Sequence, residues 1–280
     1  IYEAFWSNNG GNVVLRYLKN VKNIQSFIGA LPKDVLGADA PIDTILKGTF
    51  LPENITDMSI SPDGKNMFYV FNTNDSAVGI VASADGSKKT QVFNSNFTEW
   101  LSSWSNNKTV TLTTKPGYNV AGYMYSVNID RKDFTKIIGG INGLTTLINP
   151  ANSKVIYSIS KNGSIALNIY DIQTMNTISL GAKTLPEKCV WTKTGDYLYC
   201  AVPKYLESTN YPDAWYQGLI SFGDEIWKID AINGSATKII DPATIAGQEI
   251  DAIKLSLSDS EDYLFFMNKK DSYLWELNLK

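Results

Sequence analysis

The sequence predicts an all-β protein, a six-bladed β-propeller of four-stranded antiparallel blades with the last blade lacking its fourth strand. Three observations predict it. A turn-and-strand unit, clearest as Ile60-Ser61-Pro62-Asp63-Gly64 ahead of Met67-Phe68-Tyr69-Val70-Phe71, recurs at Trp6-Ser7-Asn8-Asn9-Gly10, Trp104-Ser105-Asn106-Asn107-Lys108, Ile148-Asn149-Pro150-Ala151-Asn152, Trp191-Thr192-Lys193-Thr194-Gly195 and Leu257-Ser258-Asp259-Ser260-Glu261. The copies at 60, 104, 148 and 191 step by about 44 residues, the period of propeller blades. A third strand then repeats (Tyr125–Asp130, Asn168–Ile172, Ile226–Asp230, Leu274–Leu277), and a Thr-led fourth strand follows at Thr44, Thr90, Thr135, Thr177 and Thr237. In each copy a large apolar residue ends one strand, a polar cluster turns the chain, and a β-branched or aromatic run begins the next. A two-sheet sandwich has no fixed long period of this kind.

Taken in order, the blades are expected at roughly 1–48, 55–94, 99–139, 144–181, 186–241 and 250–280, so one propeller uses the whole chain of 280 residues. Blade 1 is read as Tyr2–Trp6, Asn12–Leu18, Ile24–Ile28 and the Thr44-Ile45-Leu46 strand. Its connector carries Asp34, Asp39 and Asp43 in a spacing that matches no ordered calcium loop. Blade 2 turns through Asn72–Ser76, and blade 3 through Lys115-Pro116-Gly117-Tyr118-Asn119. Blade 4 has Asn162-Gly163 as a tight hairpin, and Asp85-Gly86 and Asn233-Gly234 mark turns between third and fourth strands. Blade 5 holds the only cysteines, Cys189 and Cys200, one on each strand of a hairpin. They are either a cross-strand disulfide or two buried thiols acting as small apolar residues. Blade 6 offers three strands and no Thr-led fourth.

Ser61-Pro62-Asp63-Gly64-Lys65 before a hydrophobic strand resembles the WD-like repeat of TolB-type six-bladed propellers, and the same repeat appears in the propeller domains of prolyl-oligopeptidase-type peptidases. The resemblance runs over nearly the whole chain, with one complete copy and others that keep the pattern but not the letters. It implies a propeller that binds a protein or gates an attached enzyme, in a group that includes many bacterial envelope proteins.

Composition narrows the function classes. Hydrophobic content of 44% and aromatic content of 12% suit a folded β protein. A net charge of −3 without a basic block speaks against nucleic acid, and no apolar run reaches the length of a membrane helix. The chain has no histidine, which excludes Ser-His-Asp and Cys-His sites and His-ligated metals. Arg16 and Arg131 are the only arginines, too few for a sialidase-like carboxylate clamp. No cofactor and no metal are expected. The chain begins at Ile1, from which an upstream signal peptide, anchor or further domain is expected. The predicted setting is extracytoplasmic, periplasmic or at the cell surface.

The predicted role is a non-enzymatic binding scaffold for a protein or polysaccharide partner; an accessory propeller of a larger hydrolase or envelope complex is the second reading. A third, a carboxylate-pair glycosidase or lyase, would use Asp213, Asp224 and Glu225. The blade 5 to blade 6 step is long, and the excess lies between Pro203 and Glu225. Loops joining second to third strands emerge with the blade-to-blade loops at one face, where binding residues collect. Tyr118, Tyr205, Tyr211, Asp213, Trp215, Tyr216, Phe222, Asp224 and Glu225 are therefore the candidate partner-binding residues. Trp215, Tyr216 and Tyr211 are expected to line the surface; if Trp215 and Tyr216 are exposed, Trp215→Ala should weaken partner binding and leave the melting temperature nearly unchanged. The alternative is that these aromatics fold back as a private core.

Overall fold

The computed structural model describes residues 3–20, 23–31 and 46–280, and within them it forms six successive antiparallel sheets, the blades of a six-bladed β-propeller. Blade 1 contains β1 (Glu3–Ser7), β2 (Asn12–Leu18), β3 (Ile24–Ala30) and β4 (Lys47–Phe50); blade 2 contains β5 (Ile55–Ile60), β6 (Asn66–Asn72), β7 (Ala77–Ser83) and β8 (Thr90–Ser95). Blade 3 contains β9 (Trp100–Asn106), β10 (Thr109–Thr114), β11 (Ala121–Asn128) and β12 (Phe134–Asn142). Blade 4 contains β13 (Thr146–Ile148), β14 (Lys154–Lys161), β15 (Ser164–Asp171) and β16 (Thr177–Ser179). Blade 5 contains β17 (Cys189–Trp191), β18 (Tyr197–Pro203), β19 (Asp224–Asp230) and β20 (Ala236–Ile240). Blade 6 has three strands among the described residues, β21 (Ala252–Leu257), β22 (Tyr263–Asn268) and β23 (Leu274–Asn278), as the missing Thr-led segment predicts.

The recurring turn has one hydrogen-bond scheme written in several letters. In blade 2 Ser61 N–H donates to Asn66 O at 2.9 Å, Gly64 N–H to Ser61 O at 2.8 Å, and Asn66 N–H to the Ser61 hydroxyl at 2.9 Å. Asn149 does the same in blade 4 with its amide oxygen, which accepts from Lys154 N–H at 3.0 Å. Thr192 in blade 5 and Ser258 in blade 6 accept from Tyr197 N–H at 3.2 Å and Tyr263 N–H at 3.1 Å. The fourth residue of each turn is left-handed: Gly64 at φ 68°, Asn152 at 54°, Gly195 at 74° and Glu261 at 59°. The unit therefore needs a short side-chain oxygen first and a residue tolerating positive φ fourth, and several residue types meet each demand.

In blade 1 the outer strand is described as Lys47–Phe50, following Leu46; Thr44 and Ile45 of the expected strand lie outside the described residues, as do Asp34, Asp39 and Asp43. β4 pairs Gly48 with Gly29 and Phe50 with Phe27, and a Cβ on Gly48 would stand 1.9 Å from Ile28 O. Phe50 then meets Phe27 edge-on at 5.1 Å. The glycine pair lets the two strands approach closely at this point.

The chain divides into two compact units, Ile1–Thr114 with Tyr125–Lys136, and Lys115–Met124 with Ile137–Lys280. In the first, facing residues of blades 1 and 2 bury Val14, Ile28, Met58 and Tyr69, and a second cluster joins Phe68, Val70, Phe93, Trp100 and Val110. In the second, one cluster joins blades 4 and 5 through Ile156, Leu167, Trp191, Leu198 and Ile229, and another joins blades 5 and 6 through Tyr199, Ile226, Ile250, Leu264 and Phe266. Among the described residues no helix is long and apolar enough to cross a membrane.

Cys189 and Cys200 are direct cross-strand partners in β17 and β18, with Cα atoms 4.0 Å apart and their sulfurs bonded. The bridge lies inside the blade 4–5 core beside Trp191 and Leu198. It closes a loop of sequence separation 11, for which the chain-entropy model gives about 3 kcal/mol of stabilisation. Denatured, unreduced protein should therefore show no free thiol in a colorimetric count, and reduction should lower the unfolding free energy by roughly that amount. Two free thiols would contradict the bridge.

Candidate functional site

The insertion between β18 and β19 is organised from beneath by a buried ion cluster. Lys188 sits in a 3₁₀ turn (Pro186–Lys188) that leads into β17, and its side chain is 0% exposed. Its ammonium reaches Asp251 Oδ1 at 2.6 Å, Asp224 Oδ2 at 2.8 Å and the Ala252 carbonyl at 2.8 Å. Asp224 opens β19, and Asp251 immediately precedes β21. Asp251 Oδ2 also accepts from Trp215 Nε1 at 2.9 Å, Ser221 Oγ at 3.0 Å and Phe222 N–H at 3.1 Å. Asp224 Oδ2 accepts from Ala252 N–H at 2.7 Å, while its Oδ1 is buried without a hydrogen-bond partner.

Charge accounting explains the titration of the cluster. Burial pushes the Asp224 carboxyl up to about 6; Lys188 opposes this, and the second carboxylate, Asp251, adds to it. Burial also acts to raise Asp251, but the Lys188 ammonium and the Phe222 and Trp215 donors outweigh it and hold that carboxyl below its ordinary value. One ammonium between two carboxylates leaves a surplus negative charge, and the carboxylate with fewer donors gives it up first.

Above the ions lies an aromatic layer. Trp215 and Phe222 stack at 5.9 Å, Phe222 and Tyr211 at 6.1 Å, and the Lys188 ammonium is 5.1 Å from the Trp215 and Phe222 ring centres. Lys269 covers the outer side of the indole at 4.1 Å and donates to Trp215 O. Tyr211, Trp215 and Phe222 form their own small core with Ile165 and Leu185. Trp215 belongs to a single helical turn, α1 (Asp213–Tyr216).

The insertion is tied at further points. Asp213 Oδ2 accepts from Tyr118 N–H at 2.6 Å, the Tyr211 carbonyl accepts from Ser160 Oγ at 2.6 Å, and Thr209 N–H donates to Gly163 O at 3.1 Å. Tyr216 OH donates to Glu187 Oε1. Burial raises the Glu187 carboxyl, and burial together with that carboxylate raises the Tyr216 hydroxyl.

The sequence-predicted residues therefore divide. Tyr118 and Asp213 are brought together, through the Tyr118 backbone. Tyr205 at 76% and Tyr216 at 42% exposure present surface, joined by Leu219 at 72%. Tyr211, Trp215, Phe222 and Asp224 are buried. Placing Trp215 and Tyr211 on the surface is corrected here: the Asp251 carboxylate needs the indole N–H, and that turns the ring inward. Glu225 points away from the insertion, accepting from Lys238 Nζ at 3.1 Å and Trp227 Nε1 at 3.1 Å. Asp213, Asp224 and Glu225 each serve a different structural partner: the Tyr118 N–H, the Lys188 ammonium, and Lys238 with Trp227. Among the described residues no cluster of three His, Cys, Asp or Glu is arranged to hold a metal ion.

Lys188, Glu187, Asp251 and Lys269 were not among the residues singled out from the sequence. The available signal was charge inside apolar runs, Leu185-Pro186-Glu187-Lys188-Cys189-Val190 and Ile250-Asp251-Ala252, where an ion is retained only with a partner. The open side of the insertion forms a recess of about 180 Å³ lined by Lys204, Tyr205, Glu207, Tyr211, Phe222 and Glu249, with Lys204 bound to Glu249 at 2.8 Å.

No family model matches this chain, and no curated protein matches it in sequence. Solved structures do match. The β-propeller domain of the Trilobed protease from Pyrococcus furiosus aligns with a TM-score of 0.62 at 11% identity, over 99% of this chain and 83% of that one. TolB from Acinetobacter baumannii aligns at 0.58 and 11%, over 97% and 64%. The fold is shared with TolB. An acylaminoacyl peptidase aligns at 0.63 and 11%, over 99% of this chain and 45% of the peptidase. At these identities the likeness concerns the fold, and the chain spans less than two thirds of the TolB and peptidase chains.

Two outcomes are expected. Lys188→Met leaves Asp224 and Asp251 buried without their cation and should cost roughly 3–5 kcal/mol in denaturant unfolding; an unchanged midpoint would contradict the cluster. Asp224 has a folded pKa above its unfolded value, so its contribution is fully present below pH 3.8 and is lost as pH rises through about 6. Stability of the wild type relative to Asp224→Asn should therefore fall between pH 4 and pH 6.5. Asp57, likewise pushed up to about 6, is common to both proteins and cancels. A relative stability that rises over that range would contradict the assignment.

Proposed function

We propose that this protein is a non-enzymatic scaffold, a single propeller that recognises a protein partner through the loop face built on the 204–223 insertion. One observation carries the reading: the insertion is anchored from below by buried ions and aromatics, yet exposes Tyr205, Tyr216 and Leu219 in one short stretch. Exposed apolar and aromatic side chains on a rigid base are the usual makings of a protein interface. The likeness to TolB and to peptidase propellers supports a binding or accessory role without naming a partner. The accessory reading, a propeller serving a larger hydrolase, draws on the peptidase match that this chain covers to 45%. The disulfide supports an extracytoplasmic setting, since oxidising compartments preserve such bonds.

The test uses photo-crosslinking residues placed singly at Tyr205, at Leu219 and at Met175, which is equally exposed in the β15–β16 turn. Crosslinks in native cells should run to one protein species from the first two positions and not from Met175. Carbohydrate adducts, or equal labelling from all three, would contradict the reading. With the captured partner, Tyr205→Ala should weaken binding and change stability by less than about 0.5 kcal/mol, whereas Trp215→Ala should cost roughly 3–5 kcal/mol of stability through the lost core ring.

A further inference from the structure

The recess on the open side of the insertion has a chemistry of its own. Its volume of about 180 Å³ is below the roughly 300–1,000 Å³ of pockets that take whole drug-sized ligands, and it suits a single long side chain. The floor is apolar: Phe222 and Tyr211 are buried and stacked, and Ile220 packs with them. The rim is polar and open. Tyr205 stands there exposed, and Lys204, Glu207 and Glu249 complete the wall.

Charges at the rim do not balance. The Lys204 ammonium is shared between Glu249 Oε1 at 2.8 Å and Asp241 Oδ2 at 3.2 Å. Glu207 is exposed and has no ion pair among the described residues. One cation therefore stands among three carboxylates, which leaves a negative surplus. The wall is also shaped for a carboxylate. Glu249 Oε2 lies over Gly223, where a Cβ would stand 1.8 Å from it, so glycine at that position makes the room.

These features select an occupant. An anion meets the surplus with repulsion, and an uncharged group leaves it unmet. A metal ion lacks its ligands, because among the described residues no three acidic groups converge as they do on a metal. What fits is a flat organic cation. A guanidinium binds carboxylates in bidentate fashion, stacks on aromatic rings and gives up its water more readily than an ammonium. Arginine is also one of the residues enriched at protein interfaces. Both arginines of the 280 residues are engaged elsewhere, Arg16 with Glu3 at 2.6 Å and Arg131 with Asp133 at 2.5 Å.

We infer that this recess is the socket for one arginine of the protein partner. Glu207 and Glu249 hold the guanidinium, Tyr205 covers its plane, and the methylenes lie on the Phe222–Tyr211 floor. The inference rests on the scaffold reading above and names the side chain that the insertion face selects.

The probe is N-acetylarginine methylamide, compared with its lysine and citrulline counterparts; citrulline keeps the shape and loses the charge. The readout is the amide NMR shifts of Ser221, Phe222 and Gly223. The arginine probe should move them saturably, the lysine probe should bind at least about threefold more weakly, and the citrulline probe should not saturate. Glu207→Gln and Glu249→Gln should each weaken the arginine probe at least about threefold, the size of one exposed ion pair. Glu249 also holds Lys204, so Glu207→Gln, whose carboxylate holds no other ion, keeps the test open if the Glu249 variant fails to fold. The inference is overturned if the arginine probe does not saturate, if lysine or citrulline matches it, or if Glu207→Gln leaves its affinity unchanged. The two readings also fail separately. A partner captured from Tyr205 that binds wild type and Glu207→Gln alike overturns the socket and leaves the scaffold standing. A saturable arginine site with only carbohydrate captured overturns the scaffold, and with it the assignment of that arginine to a protein partner.

Discussion

An ammonium with no access to water, that of Lys188, is the interaction on which the loop end of blades 5 and 6 depends. Removing a lysine from water costs several kcal/mol unless charged partners and hydrogen bonds replace the lost hydration. Here two carboxylates, a carbonyl and two ring faces replace it. The residues come from three places far apart in sequence: the lead-in to β17, the first residue of β19 and the lead-in to β21. None of these segments can move by much without leaving a buried charge alone, so the cluster fixes the ends of two blades at once.

The insertion inherits its order from that cluster. Asp251 has more capacity than Lys188 uses, and it spends the remainder on the indole of Trp215, the hydroxyl of Ser221 and the amide of Phe222. Each bond draws one part of the 204–223 segment down, and stacking of Trp215, Phe222 and Tyr211 seals the layer. What remains outside, Tyr205, Tyr216 and Leu219, is therefore held on a firm base. The same segment carries a core side and a presenting side, and hydrogen-bond demand from below decides which residue belongs to which.

The sheets were legible because their causes are local and repeated. The Ser61, Asn149, Thr192 and Ser258 turns all need a short side-chain oxygen and a left-handed fourth residue, and those demands survive changes of letter. The three-stranded last blade was legible from the absence of a Thr-led segment. The pairing of Gly48 with Gly29 was not, because it depends on a contact across two strands. That the insertion and the Tyr118 loop share one face followed from topology, but the Asp213–Tyr118 contact and the inward turn of Trp215 did not. Its cause, Asp251, lies 36 residues further on, and no local pattern around Trp215 marks a ring whose N–H is claimed from a distance. An aromatic-rich loop reads the same from sequence whether its rings face water or a buried carboxylate.

Native-state hydrogen exchange tests the central claim most directly. The Phe222 amide lies in a loop but donates to Asp251, and the Ala252 amide donates to Asp224. If the ion cluster holds the insertion, both amides exchange only in openings that approach global unfolding, alongside the β18 and β19 ladder. Exchange of the Phe222 amide at loop-like rates, while β18 and β19 stay protected, would show the insertion opening on its own and would contradict the account.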